Sequence, residues 1–143
     1  MILSPTCEYS MRALICLANR KENCPVLSQD IARQAHIPPH FARKILRDLR
    51  RHGLVNSTMG PGGGFTLSRR AEKIKLKEVF RATEGMVNET RDCVLGLANC
   101  DDKNPCPMHN DWKRYRNKFS QKIENVTIAE LAFVSRRKKR ATN

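Results

Sequence analysis

Between residues 27 and 67 the spacing of apolar positions changes three times, and each change marks an element boundary. Ile31 and Ala32 lie in a short polar stretch that Ser28 can cap, which predicts a helix over residues 29–34 with Leu27 folding back onto Ala32. Ile37, Pro38 and Pro39 break it, because proline restricts the residue before it and fits a helix only in the first turn. Phe41, Ala42, Ile45, Leu46 and Leu49 then recur at helical steps, while His40, Arg43, Lys44, Arg47 and Arg50 fall elsewhere. This second helix is buried on one side and basic on the other. Gly53 ends it. Leu54-Val55 and the alternating Phe65-Thr66-Leu67 flank a glycine-rich turn, Gly60-Pro61-Gly62-Gly63-Gly64, and read as two short strands of a hairpin. Helix, turn, basic helix and hairpin together make a winged helix-turn-helix, which lays a helix in the DNA major groove and a wing over the adjacent backbone.

On either side the periodicity is helical. Ser4-Pro5 starts a helix running to about residue 18, with Met11, Leu14, Ile15 and Ala18 as its buried stripe and Arg12 off it, within reach of a phosphate or of solvent. Cys16, between Ile15 and Leu17, reads as a small core residue, and Cys24, before Pro25, as an incidental one. After the wing, Ser68-Arg69-Arg70 adds positive charge at its base. Ile74 and Leu76 lead into a helix over residues 77–84, in which Val79, Phe80 and Thr83 pack inward and Gly85 is the stop. Trp112, Tyr115, Phe119, Ile123 and Val126 form a stripe on a helix of about 16 residues. Because the winged unit closes its own core, this stripe is expected to be a dimer seam, with packing against its own domain as the alternative. Thr127 and Glu130 form a capping box for a short last helix containing Leu131, Ala132 and Phe133, and the basic run Arg136-Arg137-Lys138-Lys139-Arg140 is expected to be a disordered tail attracting DNA nonspecifically. The fold class is mainly α with a small β wing, a winged helix-turn-helix plus a long dimerisation helix. Its parts are the DNA-binding domain (1–86), a cysteine-rich loop (87–110), the dimerisation and final helices (111–134), and a basic tail (135–143).

Composition narrows the partner. The chain has 143 residues and a formal net charge of +13, which favours an anionic partner. Nucleic acid is expected before membrane, since no apolar run approaches the roughly 18 residues of a spanning helix. No secretory signal is evident, so a reducing cytoplasm is expected, where six cysteines point to metal or redox chemistry before a disulfide framework. Direct base reading is expected of His40 and Arg43, with a phosphate contact as the alternative for Arg43 and Pro39 setting the start of their helix. Lys44, Arg47 and Arg51 are backbone contacts, and Ser28, Gly62 and Gly63 complete the expected DNA face.

From residue 88 to His109 periodicity disappears, and three cysteines stand in a loop rich in Gly, Asn, Asp and Pro. Cys93, Cys100 and Cys106 are separated by six and five residues, with His109 three positions after the last. Three thiolates and an imidazole in an irregular loop wrap a metal centre without a large apolar core, and thiolates suit both Fe-S clusters and zinc. The gaps are wider than in the usual zinc knuckle. A redox disulfide and unrelated cysteines remain as alternatives, as does a cluster-free regulator using a thiol switch. No Ser/His/Asp or paired-carboxylate arrangement accompanies His36, His40, His52 or His109, so the chain is not expected to be an enzyme. An electron-transfer or cluster-delivery protein would leave the basic helix and the wing without a role.

The segments CEYSMRALICLA, IARQAHIPPHFARKILRDLRRHGLV, GPGGGFTLSR and IKLKEVFRATEG, with the three-cysteine loop before a long helix, resemble the Rrf2 family of bacterial transcription regulators over nearly the whole chain. The resemblance implies a homodimer with crossing carboxy-terminal helices, a pseudo-palindromic double-stranded operator, and an iron-sulfur cluster in each subunit that controls DNA binding. In one branch the ligands correspond to Cys93, Cys100, Cys106 and His109 around a 2Fe-2S centre, although the first cysteine gap here is one residue longer than that branch's. In the nitric-oxide-sensing branch a carboxylate from the partner's first helix completes a 4Fe-4S site, and Glu8 matches it, with Cys7 beside it. Met59 stands where several relatives carry a basic wing residue.

Overall fold

The computed structural model describes residues 3–84 and 93–141; Gly85 and residues 88–92 of the cysteine loop lie outside the described residues. Helix α1, Pro5–Ala18, begins as its sequence directs: Ser4 caps it by accepting the Cys7 amide at 3.1 Å, and Pro5 occupies a first-turn position. The stripe differs from the expected one. Cys7, Ser10, Ala13, Leu14 and Leu17 are buried, whereas Met11, Ile15 and Ala18 are only partly so. Helix α1 is central, packed upon from several sides, and small side chains such as Cys7, Ser10 and Ala13 permit the closest approach of neighbouring backbones. Choosing the stripe by side-chain size therefore selects the wrong face.

Helix α2, Ser28–Gln34, is capped by the backbone alone. Leu27 is the cap residue, Ser28 lies inside the first turn, and no side-chain cap bond forms. The expected hydrophobic staple is absent as well, since Leu27 is 56% exposed. The turn that follows is made by His36 in the left-handed region (φ 52°), with the Ile37 amide donating to the Ala32 carbonyl at 2.8 Å and Ile37 buried. Pro38 and Pro39 then open α3, Pro39–Arg51, which buries Ala42, Ile45, Leu46 and Leu49. Each large aliphatic among these contributes about 1.5–3 kcal/mol, so α3 cannot roll, and its basic face stays outward.

Strands β1, Val55–Thr58, and β2, Gly64–Leu67, pair antiparallel with Val55 opposite Leu67 and Thr58 opposite Gly64. A third strand residue joins them from the loop before α2. The Val26 amide donates to the Phe65 carbonyl at 2.9 Å and the Phe65 amide to the Val26 carbonyl at 2.8 Å. Arg69, expected to add free charge at the wing base, is instead committed there: it donates to the Gly53 and Lys73 carbonyls at 3.2 Å and pairs with Glu78.

Helix α4, Leu76–Glu84, buries Leu76, Val79 and Phe80. Helix α5, His109–Asn125, packs on it: the Phe119 ring lies edge-on to Phe80 at 5.5 Å, and Ile123 is 4% exposed within the same core as Leu14, Ile45 and Ile74. Two of the expected seam residues thus belong to this chain's own core, and Val126 lies just past the helix end. The junction is stitched to the winged unit by the Leu76 amide donating to the Val126 carbonyl at 2.8 Å and the Ile128 amide to the Ile74 carbonyl at 2.9 Å. The capping box forms, with the Glu130 amide donating to Thr127 Oγ1 at 3.3 Å and the Thr127 amide to the Glu130 carboxylate at 2.7 Å. The helix it starts is not short. Helix α6 spans Ile128–Ala141, taking in most of the run expected to be a disordered tail. It buries Ile128 and Ala132 and packs along α1, where Arg136 donates to Asn19 Oδ1 at 2.6 Å.

Candidate functional site

The three loop cysteines converge. Their Sγ atoms all lie within 4.8 Å of one another, with Cys93 and Cys106 3.4 Å apart. Left-handed Asn99 (φ 57°) and Gly96 (φ 68°) turn the chain between Cys93 and Cys100. Two amides on the Asp101 carboxylate, from Lys103 at 2.8 Å and Asn104 at 2.9 Å, turn it again before Cys106. The half-buried thiols line a cleft of about 530 Å³. The backbone polarises them unequally: the amides of Leu97 and Leu95 push the Cys93 thiol down to about 7. The Cys106 amide also favours the Cys100 thiolate, yet desolvation and the neighbouring Cys106 and Cys93 sulfurs hold Cys100 above the ordinary thiol value. A shared cation relieves the repulsion between crowded thiolates, so the donor set fits a thiolate-held metal.

His109 is the first residue of α5, and its Nδ1 lies 3.3 Å from Cys100 Sγ. It reaches Cys100 without joining the compact group of three sulfurs. Its Nε2 is 2.9 Å from Asp102 Oδ1, and Lys113 Nζ sits 2.7 and 2.8 Å from the two oxygens of that carboxylate. Lys113 and His109 together bring the Asp102 carboxyl down to about 2. Asp102 lies in the aperiodic loop, where no spacing marks it out. Lys113, one helical turn after His109, was legible as its neighbour on one face of α5.

Glu8 is not brought to the cysteines within the chain: its carboxylate pairs with Arg12, which also donates to the His36 carbonyl at 3.4 Å. Arg12 therefore sits at the turn between α2 and α3. Cys7 is fully buried, and burial pushes its thiol up, so it is a core residue with no access to a ligand. Cys16 is half-buried with its sulfur 3.7 Å from Gln34 Oε1, and Cys24 is exposed.

A second surface lies on the winged unit. His40, Arg43, Lys44 and Arg47 are exposed along α3, and Ser28, Pro39, His40 and Arg43 share one groove between α2 and α3. The His40 ring rests on Phe41 at 4.5 Å. Arg51 is exposed but pairs with Asp48 at 3.1 Å. In the wing, Met59 is 91% exposed and Gly62 lies on the surface. Gly63 is tucked in, its amide already donating to the Gly60 carbonyl at 3.0 Å, so of the two expected glycines Gly62 is the one presented. Val26, which anchors the wing, was missed because a lone strand residue beside Pro25 leaves no periodic signal.

Among the described residues no helix is long and apolar enough to cross a membrane. Residues 3–133 match the Rrf2 family, described as an iron-dependent transcriptional regulator. The HTH-type transcriptional regulator IscR of Yersinia pseudotuberculosis is 31% identical over 131 residues, 92% of this chain and 79% of that protein. Its namesake in Klebsiella pneumoniae is 30% identical over the same shares. Among solved structures, CymR, the global cysteine regulator of B. subtilis, superposes with a TM-score of 0.77 at 22% identity, covering 92% of this chain and 96% of that one. T. potens IscR gives 0.73 at 22% identity, covering 93% and 87%. With a winged reading head, a convergent cysteine group and these relatives, the chain belongs to the Rrf2 family of transcriptional regulators.

Proposed function

We propose that this protein is a cytoplasmic, homodimeric regulator that binds a pseudo-palindromic operator under the control of an iron-sulfur cluster held by Cys93, Cys100 and Cys106. The observation that carries this is the convergence of the three sulfurs within 4.8 Å on a loop directly preceding α5. His109 is favoured over Glu8 as fourth ligand, because its Nδ1 already lies 3.3 Å from Cys100 while Glu8 is paired with Arg12. Three thiolates and one imidazole suit a 2Fe-2S centre; Glu8 arriving from a partner would suit 4Fe-4S. When bound, the cluster supplies a centre sensitive to iron supply, redox state or nitric oxide.

The chain's own residues relay that condition. His109 opens α5, Phe119 seats α5 on Phe80 of α4, and the Val126–Leu76 and Ile74–Ile128 hydrogen bonds fasten the α5–α6 junction to the segment after the wing. A movement of the His109 end is thereby transmitted to the reading head. In a dimer, a shift between two heads penalises half-sites fixed one helical turn or its multiples apart. For the dimer seam, α5 offers exposed Tyr115, stacked at 5.6 Å on Trp112. On the DNA, His40 and Arg43 read base edges from α3. Lys44 and Arg47 meet phosphates, and the Gly62 backbone lies against the sugar-phosphate chain.

The test is anaerobic purification of single variants. C93A, C100A and C106A are expected to lose most iron, sulfide and visible absorption, and C16A and C24A to keep them. The 3.4 Å separation of Cys93 and Cys106 sulfurs favours one second reading, a cluster-free thiol switch; wild-type protein devoid of iron and sulfide, with Cys93 and Cys106 disulfide-linked after oxidation, would establish it. Zinc in place of both elements would mark a structural Cys₃His site instead.

A further inference from the structure

The two ring nitrogens of His109 have different partners. Nδ1 faces the thiols, 3.3 Å from Cys100 Sγ, and Nε2 faces Asp102 Oδ1 at 2.9 Å. A carboxylate accepts hydrogen bonds and donates none, so a neutral imidazole in this position carries its proton on Nε2 and turns the Nδ1 lone pair toward the cysteine group. The carboxylate is itself held, since Lys113 Nζ lies 2.7 and 2.8 Å from its two oxygens. His109 and Lys113 are one turn apart on α5. Asp102 is thus clamped between two side chains of a single helix and pins the loop's second half to it.

We propose that Asp102 is a positioning residue: held by Lys113, it locks His109 in the Nε2–H tautomer and offers Nδ1 to whatever Cys93, Cys100 and Cys106 bind. The identity of that bound group rests on the cluster reading above, whereas the tautomer is a property of the cluster-free chain. Carboxylates behind a histidine ligand fix its tautomer and orientation and raise its basicity, and their removal commonly lowers metal affinity about 10- to 100-fold. The geometry also joins the site to the helix that carries its condition away, because the same carboxylate holds both the ligand and Lys113.

The experiment uses the full chain labelled with ¹⁵N-histidine, first cluster-free under reducing conditions. A long-range ¹H–¹⁵N correlation spectrum reads the tautomer of each histidine, and H109A identifies the His109 signals. Wild type is expected to show His109 as the Nε2–H form. D102N, whose amide oxygen still accepts, should keep that form, and D102A should release it to a mixture. The proteins are then loaded with iron and sulfide. D102A is expected to lose the cluster to a chelator about 10- to 100-fold faster than wild type, with D102N much closer to wild type. Pulsed electron paramagnetic resonance of reduced wild type should show one strongly coupled imidazole nitrogen. An Nδ1–H tautomer in wild type overturns the proposal by itself, even if D102A does not fold. Equal tautomer populations or equal cluster loss in wild type and D102A overturn it too. Loaded wild type lacking a coupled imidazole nitrogen overturns the ligand assignment to His109 and leaves the cluster reading standing. Wild type that takes up no iron or sulfide overturns the cluster reading, and the tautomer spectra still decide the role of Asp102.

Discussion

Two glycine-to-alanine substitutions in the wing separate steric from conformational cost. At Gly64 (φ 141°) an added Cβ would stand 2.6 Å from both the carbonyl carbon and oxygen of Val26, backbone atoms that cannot swing aside. Accommodating it breaks the pair of hydrogen bonds between Val26 and Phe65, at 2.9 and 2.8 Å, each worth a net of about 0.5–1.5 kcal/mol. A side chain at this φ adds about 1–3 kcal/mol of backbone strain. Gly64→Ala should therefore lose about 2–6 kcal/mol, a large part of the roughly 5–15 kcal/mol that holds a domain folded. Gly62 (φ 71°) has nothing within 4 Å of its would-be Cβ, so Gly62→Ala carries only the left-handed penalty, about 1–2 kcal/mol. Urea unfolding followed by circular dichroism reads the difference. With a slope near 2 kcal/mol/M, a 4 kcal/mol loss moves the midpoint by about 2 M. G64A should fall well below G62A, and its DNA affinity should drop with the wing displaced. Equal midpoints for the two variants would refute the claim that the Val26 bridge sets the wing's position.

Other substitutions test the remaining parts. Arg43→Ala should cost about 1–3 kcal/mol at a selected operator and relax base preference, while Lys44→Ala should weaken binding to all DNA and reduce the salt slope by roughly one unit; operator affinity and base preference unchanged in R43A exclude base reading. Phe119→Ala should destabilise the folded chain by about 2 kcal/mol, below the 3–5 of a fully buried phenylalanine, because the ring is half-buried against Phe80. Tyr115→Asp should instead shift sedimentation toward monomer with little change in the unfolding midpoint. In cluster-free protein, Cys93 should react with iodoacetamide ahead of Cys100 and Cys7, with a profile centred near pH 7. Since its folded pKa lies below the unfolded value, the stability it contributes is present above about pH 9 and is lost as pH falls through about 7.

Legibility followed the range of the interactions. The cap of α1, the turn into α3, its apolar face, the hairpin and the Thr127–Glu130 box are local, so residue type and spacing announce them. Features set by distant partners were not visible. Whether Phe119 and Ile123 meet Phe80 or another chain depends on how α5 docks, and a stripe on a helix looks the same in both cases. The basic run after residue 135 reads as disordered until α1 provides a surface for α6. Ser28 resembles a cap because serine usually is one; here the helix starts one residue earlier. The cysteine loop was recognisable from composition, but its second half is organised by Asp102, whose bonds to His109 and Lys113 span seven and eleven residues without periodicity.

If the state of the Cys93–Cys100–Cys106 centre sets DNA affinity, cluster-loaded and cluster-free wild-type protein must differ, under anaerobic conditions, in their affinity for one operator selected from random DNA. Fluorescence anisotropy at fixed salt, with scrambled DNA alongside, provides the readout. A difference of about 5- to 150-fold is expected at the operator, and little difference on scrambled DNA, where only phosphate attraction acts. Equal operator affinities for the loaded and cluster-free forms would contradict it.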